Sequence, residues 1–251
     1  MTKENLLIQL YGDSLSMPRV KPLTRYYETY QELLSDRLRT VLSDRKVYLY
    51  TRSHPGTPIS SLYSEYKQDL SYFGNENQEI LLIHCGIVDC APRPIPSVLR
   101  ALISRAPVKI REKIIKVIHD RRAWLLSRGF IWRVTKIDQF KRIYWEWLSL
   151  AIKNSSFVIV VNIAPTIPDM EKHSPGLSSS IKLYNQIIYD TVQKINFPTL
   201  FLFDAYNEIL SHPEKLVNFI DPNDGHHLTR EGHQLYADSL SKIIQNMRPN
   251  S

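Results

Sequence analysis

Ser14, Asp224 and His227 are the side chains whose types and spacing can do chemistry together. Ser14 stands in LLIQLYGDSLSMP, Leu6 to Pro18, where an apolar run ends in Gly-Asp-Ser. Gly-Asp-Ser is by itself a common turn tripeptide. A strand that stops at a glycine and then presents a serine, however, exposes a hydroxyl at the rim of a sheet. Such a hydroxyl is a weak nucleophile until a base takes its proton and donors hold the developing oxyanion. The distal stretch DPNDGHHLTREGHQLYADSL offers the base. Asp224 and His227 lie three apart on a loop before the last helical segment, so the carboxylate can hold one ring nitrogen while the other faces Ser14. His226 and His233 compete for the role, but only His227 keeps that offset from Asp224. The chemistry this trio suits is acyl transfer through a covalent acyl-serine.

Elements that could bring the two ends of the chain together follow from the hydrophobic pattern. Apolar, β-branched runs of strand length occur at Leu6–Leu10, Val47–Tyr50, Ile80–His84, Phe157–Ile163 and Leu200–Phe203. Helical periodicity separates them at Tyr26–Leu42, Ile59–Leu70, Ser97–His119, Phe140–Ile152, Ile181–Ile195 and Thr229–Met247. Near-continuous apolar strands alternating with helices predict a five-stranded parallel sheet covered on both faces, a three-layer α/β/α sandwich. In such a sheet the ligand site lies outside the carboxyl ends of the strands, where Gly12-Asp13-Ser14, TRSHPGT, CGIVDCAPRP, NIAPT and DAYNE would collect.

At 251 residues and 43% apolar content, the chain can bury one substantial core, and it reads as a single domain over 1–251. The stretch 91–139 is too long for an ordinary connection and reads as a helical insertion between the third and fourth strands. No apolar run reaches a membrane-spanning length, and the first strand starts too early for a secretory leader, so a cytoplasmic location is expected. Cys85 and Cys90 match neither a zinc pair nor a redox pair and read as buried thiols. No metal and no cofactor is expected, since no histidines or acids show a ligand spacing apart from the pair already assigned.

The net charge of +7 is concentrated. Between Arg93 and Arg142, fourteen Lys or Arg meet three acidic residues, a net +11, which leaves −4 for the rest of the chain. Trp124, Trp132, Trp145 and Trp147 fall in or just beyond that segment. Arginines interleaved with aromatic and aliphatic residues in DRRAWLLSRGFIWRV suit a helix at an anionic membrane surface, at the inner face of the membrane, or an amphipathic cap with a hydrated basic side. No nucleic-acid module accompanies the basic segment, and no nucleic-acid partner is expected.

The whole pattern resembles the SGNH (GDSL-type) hydrolases, nearly end to end. YGDSLS is similar to their first block, with the nucleophile at Ser14. The final D-x-x-H falls on Asp224 and His227, followed by LTREGH. The resemblance implies a flavodoxin-like fold and an oxyanion hole built from the backbone N–H groups of Ser14 and of Gly56 in HPGTP. The third block, ordinarily G-x-N-D, reads GIVD here, so the asparagine position holds Val88, which has no donor. Three accounts stay open: a hole made by the two backbone groups alone, a replacement donor from Asn162 or Arg93, or abandonment of hydrolysis. GIVDCAPRP also resembles a subgroup linked to bacterial surface-polysaccharide clusters. The absence of a G-x-S-x-G elbow disfavours the α/β-hydrolase alternative.

These readings converge on an ester hydrolase acting on a carbohydrate O-acyl ester, acetyl above all. With a sugar hydroxyl as acceptor the same site would be an O-acyltransferase, and Val88 keeps open a weakened protein that binds glycan or scaffolds a complex. Arg19, Arg52 and Arg93 follow the first three strands and can border one cleft, binding a carboxylate or phosphate of a small-molecule or glycan ester, or can be solvated loop charges.

Overall fold

The structure is a computed structural model that describes residues 5–20, 23–43, 45–73 and 78–247. Its strands are β1 (Leu6–Gly12), β2 (Val47–Ser53), β3 (Gln78–His84), β4 (Ser155–Val161) and β5 (Leu200–Phe203). All pair in parallel in the order β2-β1-β3-β4-β5. The expected sheet is present. Register aligns the carboxyl ends: Gly12 stands beside Ser53 and His84, His84 beside Val161, and Val161 beside Phe203. Every strand therefore delivers its following loop to the same rim.

In chain order the helices are α1 (Tyr30–Val41), α2 (Ile59–Phe73), α3 (Ile87–Cys90), α4 (Ser97–Ser104), α5 (Val108–Asp120), α6 (Arg122–Ser127), α7 (Ile137–Asn154), α8 (Pro168–His173), α9 (Leu177–Ile195), α10 (Ala205–Ser211) and α11 (Arg230–Asn246). The two-residue period of the strands divides the core. Leu81, Ile83, Val158 and Val160 pack with α2, α7 and α9 on one face. Ile80, Leu82, Ile159 and Val161 pack with α1, α10 and α11 on the other. Trp147 is buried on the first face, with the rings of Tyr11, Tyr63 and Tyr66 about it.

Two expected helices are interrupted, each for a local reason. The helix expected from Tyr26 begins at Tyr30, because Tyr26–Glu28 forms a 3-10 turn and Thr29 is extended, its hydroxyl donating to the Tyr26 carbonyl at 2.7 Å. The helix expected over 97–119 is two, since Pro107 has extended backbone and no N–H to continue the ladder. The fourth strand ends at Val161, two residues before its expected end, so Asn162 and Ile163 lie in the rim loop.

α4, α5 and α6 form the insertion. Neither α4 nor α5 buries a residue. The segment is anchored at its base: Arg93 and Trp132 exchange backbone hydrogen bonds at 2.8 and 2.9 Å, and Arg122 donates to the Pro92 carbonyl and the Ser174 hydroxyl. No described helix is long and apolar enough to cross a membrane.

Candidate active site

Ser14 opens a 3-10 turn directly after β1, and that turn is built to hold it. Asp13 donates its N–H to the His84 carbonyl at 3.1 Å, tying the end of β1 to β3, and its Oδ1 accepts from the Leu15 N–H at 3.0 Å. The Ser16 hydroxyl bonds the Asp13 carbonyl and Ser53 Oγ at 2.9 and 2.8 Å. Gly12 has to be glycine here, since a Cβ would stand 2.5 Å from Ser16 Oγ.

The opposite partner comes from the loop between Ile220 and Leu228, which face each other as an isolated bridge. Asp221 donates its N–H to the His227 carbonyl and accepts from Asn223, closing the loop on itself. Gly225 turns it with φ 74°, and its carbonyl accepts from the Thr166 hydroxyl and the Ile167 N–H of the loop after β4. Thus two rim loops fix the histidine.

Ser14 and His227 meet across the rim. Ser14 Oγ lies 2.9 Å from His227 Nε2, and His227 Nδ1 lies 2.9 Å from Asp224 Oδ2. With Nδ1 protonated against the carboxylate, Nε2 is left to accept the serine proton. Asp224 Oδ1 also accepts the backbone N–H groups of His226 and His227 at 3.2 and 3.1 Å. Burial opposes ionisation of Asp224, but its hydrogen bonds from His227 and the two adjacent imidazoles outweigh it and hold the carboxyl far below the usual range. The carboxylate that orients the imidazole therefore stays charged.

Arg19, read from sequence as a substrate contact, is turned onto the trio: its Nη1 is 2.6 Å from Asp224 Oδ2. Arg52 is also committed elsewhere, donating two hydrogen bonds to Asp69, which accepts from Tyr11 and Tyr50 as well. Asn162 is not brought to Ser14. Its amide donates to Asp204 at 2.7 Å and its carbonyl accepts from the Tyr206 N–H. Arg93 lines a cleft of the insertion. Gly56 sits exposed in the loop after β2 with φ 70°, on the rim that carries Ser14. Val88 is buried in the apolar cluster beneath α7 and α9.

Two buried carboxyls escaped the sequence reading as parts of the site. Burial pushes Asp13 up to about 7, against the hydrogen bond from Leu15. Asp89, raised to about 6 by burial, accepts from the Ile59 N–H and the Thr135 hydroxyl, and so joins the start of α2 and the exit of the insertion to α3. Only the retained GIVD spacing hinted at Asp89. The His226 ring lies 4.1 Å from that of His227, tilted by 44°, and burial lowers it to about 4. Asp224, His226 and His227 each place one ligand atom within 4.8 Å of the others. A cation there would compete with the Asp224–His227 hydrogen bond.

No protein-family model matches the sequence, and no curated protein matches it. Solved structures do. A lipase/acylhydrolase from Enterococcus faecalis superposes with TM-score 0.64 at 13% identity over 98% of this chain and 99% of that one. A member of the lipolytic G-D-S-L family from Veillonella parvula gives 0.62 at 11%, over 96% and 98%. The fold is that of the SGNH hydrolases. An acetylxylan esterase from Geobacillus stearothermophilus shares it as well, with TM-score 0.62 at 13% identity, covering 100% of this chain and 98% of that one.

Proposed function

We propose that the protein is a serine esterase that cleaves O-acyl esters of carbohydrates, acetyl esters first. The observation that carries the reading is the ordered pair of 2.9 Å contacts from Ser14 Oγ to His227 Nε2 and from His227 Nδ1 to Asp224. Ser14 Oγ attacks the ester carbonyl as its proton passes to Nε2. The tetrahedral oxyanion is held by the backbone N–H groups of Ser14 and Gly56. Its collapse leaves an acyl-serine and expels the sugar alkoxide, which takes the proton from His227. Water then attacks the acyl-serine, its proton passing to Nε2; collapse releases the carboxylic acid, and the proton returns to Ser14. Asp224 holds the tautomer, and Arg19 holds Asp224.

Structural neighbours support the ester chemistry. Solved catalytic mutants of the Geobacillus acetylxylan esterase replace a serine near its amino end, and an aspartate and a histidine three positions apart. That pattern is the one Ser14, Asp224 and His227 make here. The likeness of GIVDCAPRP to surface-polysaccharide proteins supports a carbohydrate acceptor or substrate. The hydrogen bonds of Asn162 to Asp204 and Tyr206, and the position of Arg93 in the insertion cleft, support a hole made by backbone groups alone. Val88 favours a second reading, in which slow chemistry accompanies glycan binding, because one missing oxyanion donor costs ~3–4 kcal/mol of barrier. Hydrolysis of p-nitrophenyl acetate by the protein and by Ser14→Ala tests the esterase reading: turnover that disappears in the variant supports it, and equal rates remove it.

A further inference from the structure

A cleft of about 500 Å³ lies in the insertion, between α4, α5 and α6. Arg93, Arg100, Arg111 and Arg122 all line it, and no acidic residue does. None of the four has an ion pair among the described residues. Arg93 Nε is buried without a hydrogen-bond partner. Burial first, then the charges of Arg100 and Arg122, make the Arg93 guanidinium easier to deprotonate than usual, against the opposing charge of the buried Asp89. Like charges gathered around a space that no carboxylate lines are costly unless an anion joins them. The walls are of a different character. Ile103 from α4 and Ile115 and Ile118 from α5 line the same space, and Ile115 is exposed although strongly apolar.

A simple anion would satisfy the arginines and leave the isoleucines wet, whereas an uncharged apolar molecule would do the reverse. We propose that this cleft binds an anionic amphiphile, its phosphate head held by the arginines and its aliphatic chain laid along the isoleucines. Phosphate suits several guanidinium forks converging on one group, each able to donate in pairs. The chain contributes through buried apolar area. A phospholipid in a bilayer and a free alkyl phosphate share this chemistry. Val98, Leu102, Val108, Val117 and Trp124 of the insertion are exposed as well, and would meet the surface of a bilayer if the ligand is drawn from one. The inference stands apart from the esterase reading.

Isothermal titration of the full chain with octyl phosphate below its micelle concentration, beside inorganic phosphate and octyl glucoside, tests it. The expected result is saturable one-to-one binding of octyl phosphate, roughly tenfold or more tighter than either control, since head and chain each add more than ~1.4 kcal/mol. Arg100→Ala/Arg111→Ala should weaken it at least about tenfold. Ile103→Asn should weaken octyl phosphate while leaving inorganic phosphate unchanged. Circular dichroism should be preserved in both variants, as neither α4 nor α5 buries a residue. Ser14→Ala should bind octyl phosphate like the parent, which separates this test from that of the triad. Vesicles of phosphatidic acid in phosphatidylcholine identify the source: binding that octyl phosphate displaces means a bilayer lipid, and no vesicle binding beside octyl phosphate binding means a free ligand. Octyl phosphate held no tighter than octyl glucoside, or held equally by Arg100→Ala/Arg111→Ala, would overturn the proposal. So would vesicle binding that octyl phosphate fails to displace and that the arginine variant retains.

Discussion

The sheet rim and the insertion treat polar groups in opposite ways. Around Ser14, hydrogen bonds tie one element to the next: β1 to β3 through Asp13, the 221–227 loop to the loop after β4, and α2 to α3 through Asp89. In the insertion, four arginines line a cleft that no acidic residue lines. Of the twenty-four large apolar side chains exposed among the described residues, eleven fall between 98 and 132. One region is cross-tied within the molecule, whereas the other presents cationic and apolar groups on its surface. Rigid placement suits chemistry, which tolerates little displacement of the reacting groups. Unsatisfied surface suits recognition.

That contrast can be broken by substitution. The largest effect belongs to the rim: Asp224→Asn should lower the rate of ester cleavage about a thousandfold with the fold intact, since the imidazole loses its tautomer; steady-state kinetics and circular dichroism check it. Beneath the rim, Leu82→Ala should cost ~2–5 kcal/mol in urea unfolding, because Leu82 is fully buried in the sheet. His84 gives a pH test. Burial lowers its imidazole to about 3 from an ordinary 6.5, so below pH 6.5 the unfolded chain takes a proton that the folded one refuses. Stability is lost as pH falls, and between pH 7 and 5 His84→Phe should lose about 2 kcal/mol less than the parent. Smaller still, Val88→Asn should raise ester turnover about tenfold by adding an oxyanion donor; unchanged turnover would mean that the vacancy is already filled. Val117→Ala, on the exposed side of α5, should move the unfolding free energy by less than ~0.5 kcal/mol. A core-like loss there would erase the distinction between the two regions.

Much of this was legible because a two-residue period and a topological rule are both written in residue order. Five apolar runs announce the sheet, and the rule that loops gather at the carboxyl ends predicts the meeting of Ser14 and His227 from opposite ends of the chain. Pro107 carried its own warning within the helical run that it splits. Thr29 did not, because its break depends on a hydroxyl bonding back to Tyr26. The arginines illustrate the limit best. Arg19, Arg52 and Arg93 look alike in sequence, each just past a strand, yet one binds Asp224, one binds Asp69 and one lines the insertion. Arg52 falls inside β2, which runs on to Ser53, while loop conformation decides the fates of the other two, and no periodicity encodes it.

Intact-mass analysis after exposure to a fluorophosphonate tests the central claim most directly, because it reads an activated serine without the natural ester. The account predicts one adduct per chain, located on Ser14 and lost in both Ser14→Ala and His227→Ala. An unlabelled parent protein, or equal labelling of Ser14→Ala, would contradict it.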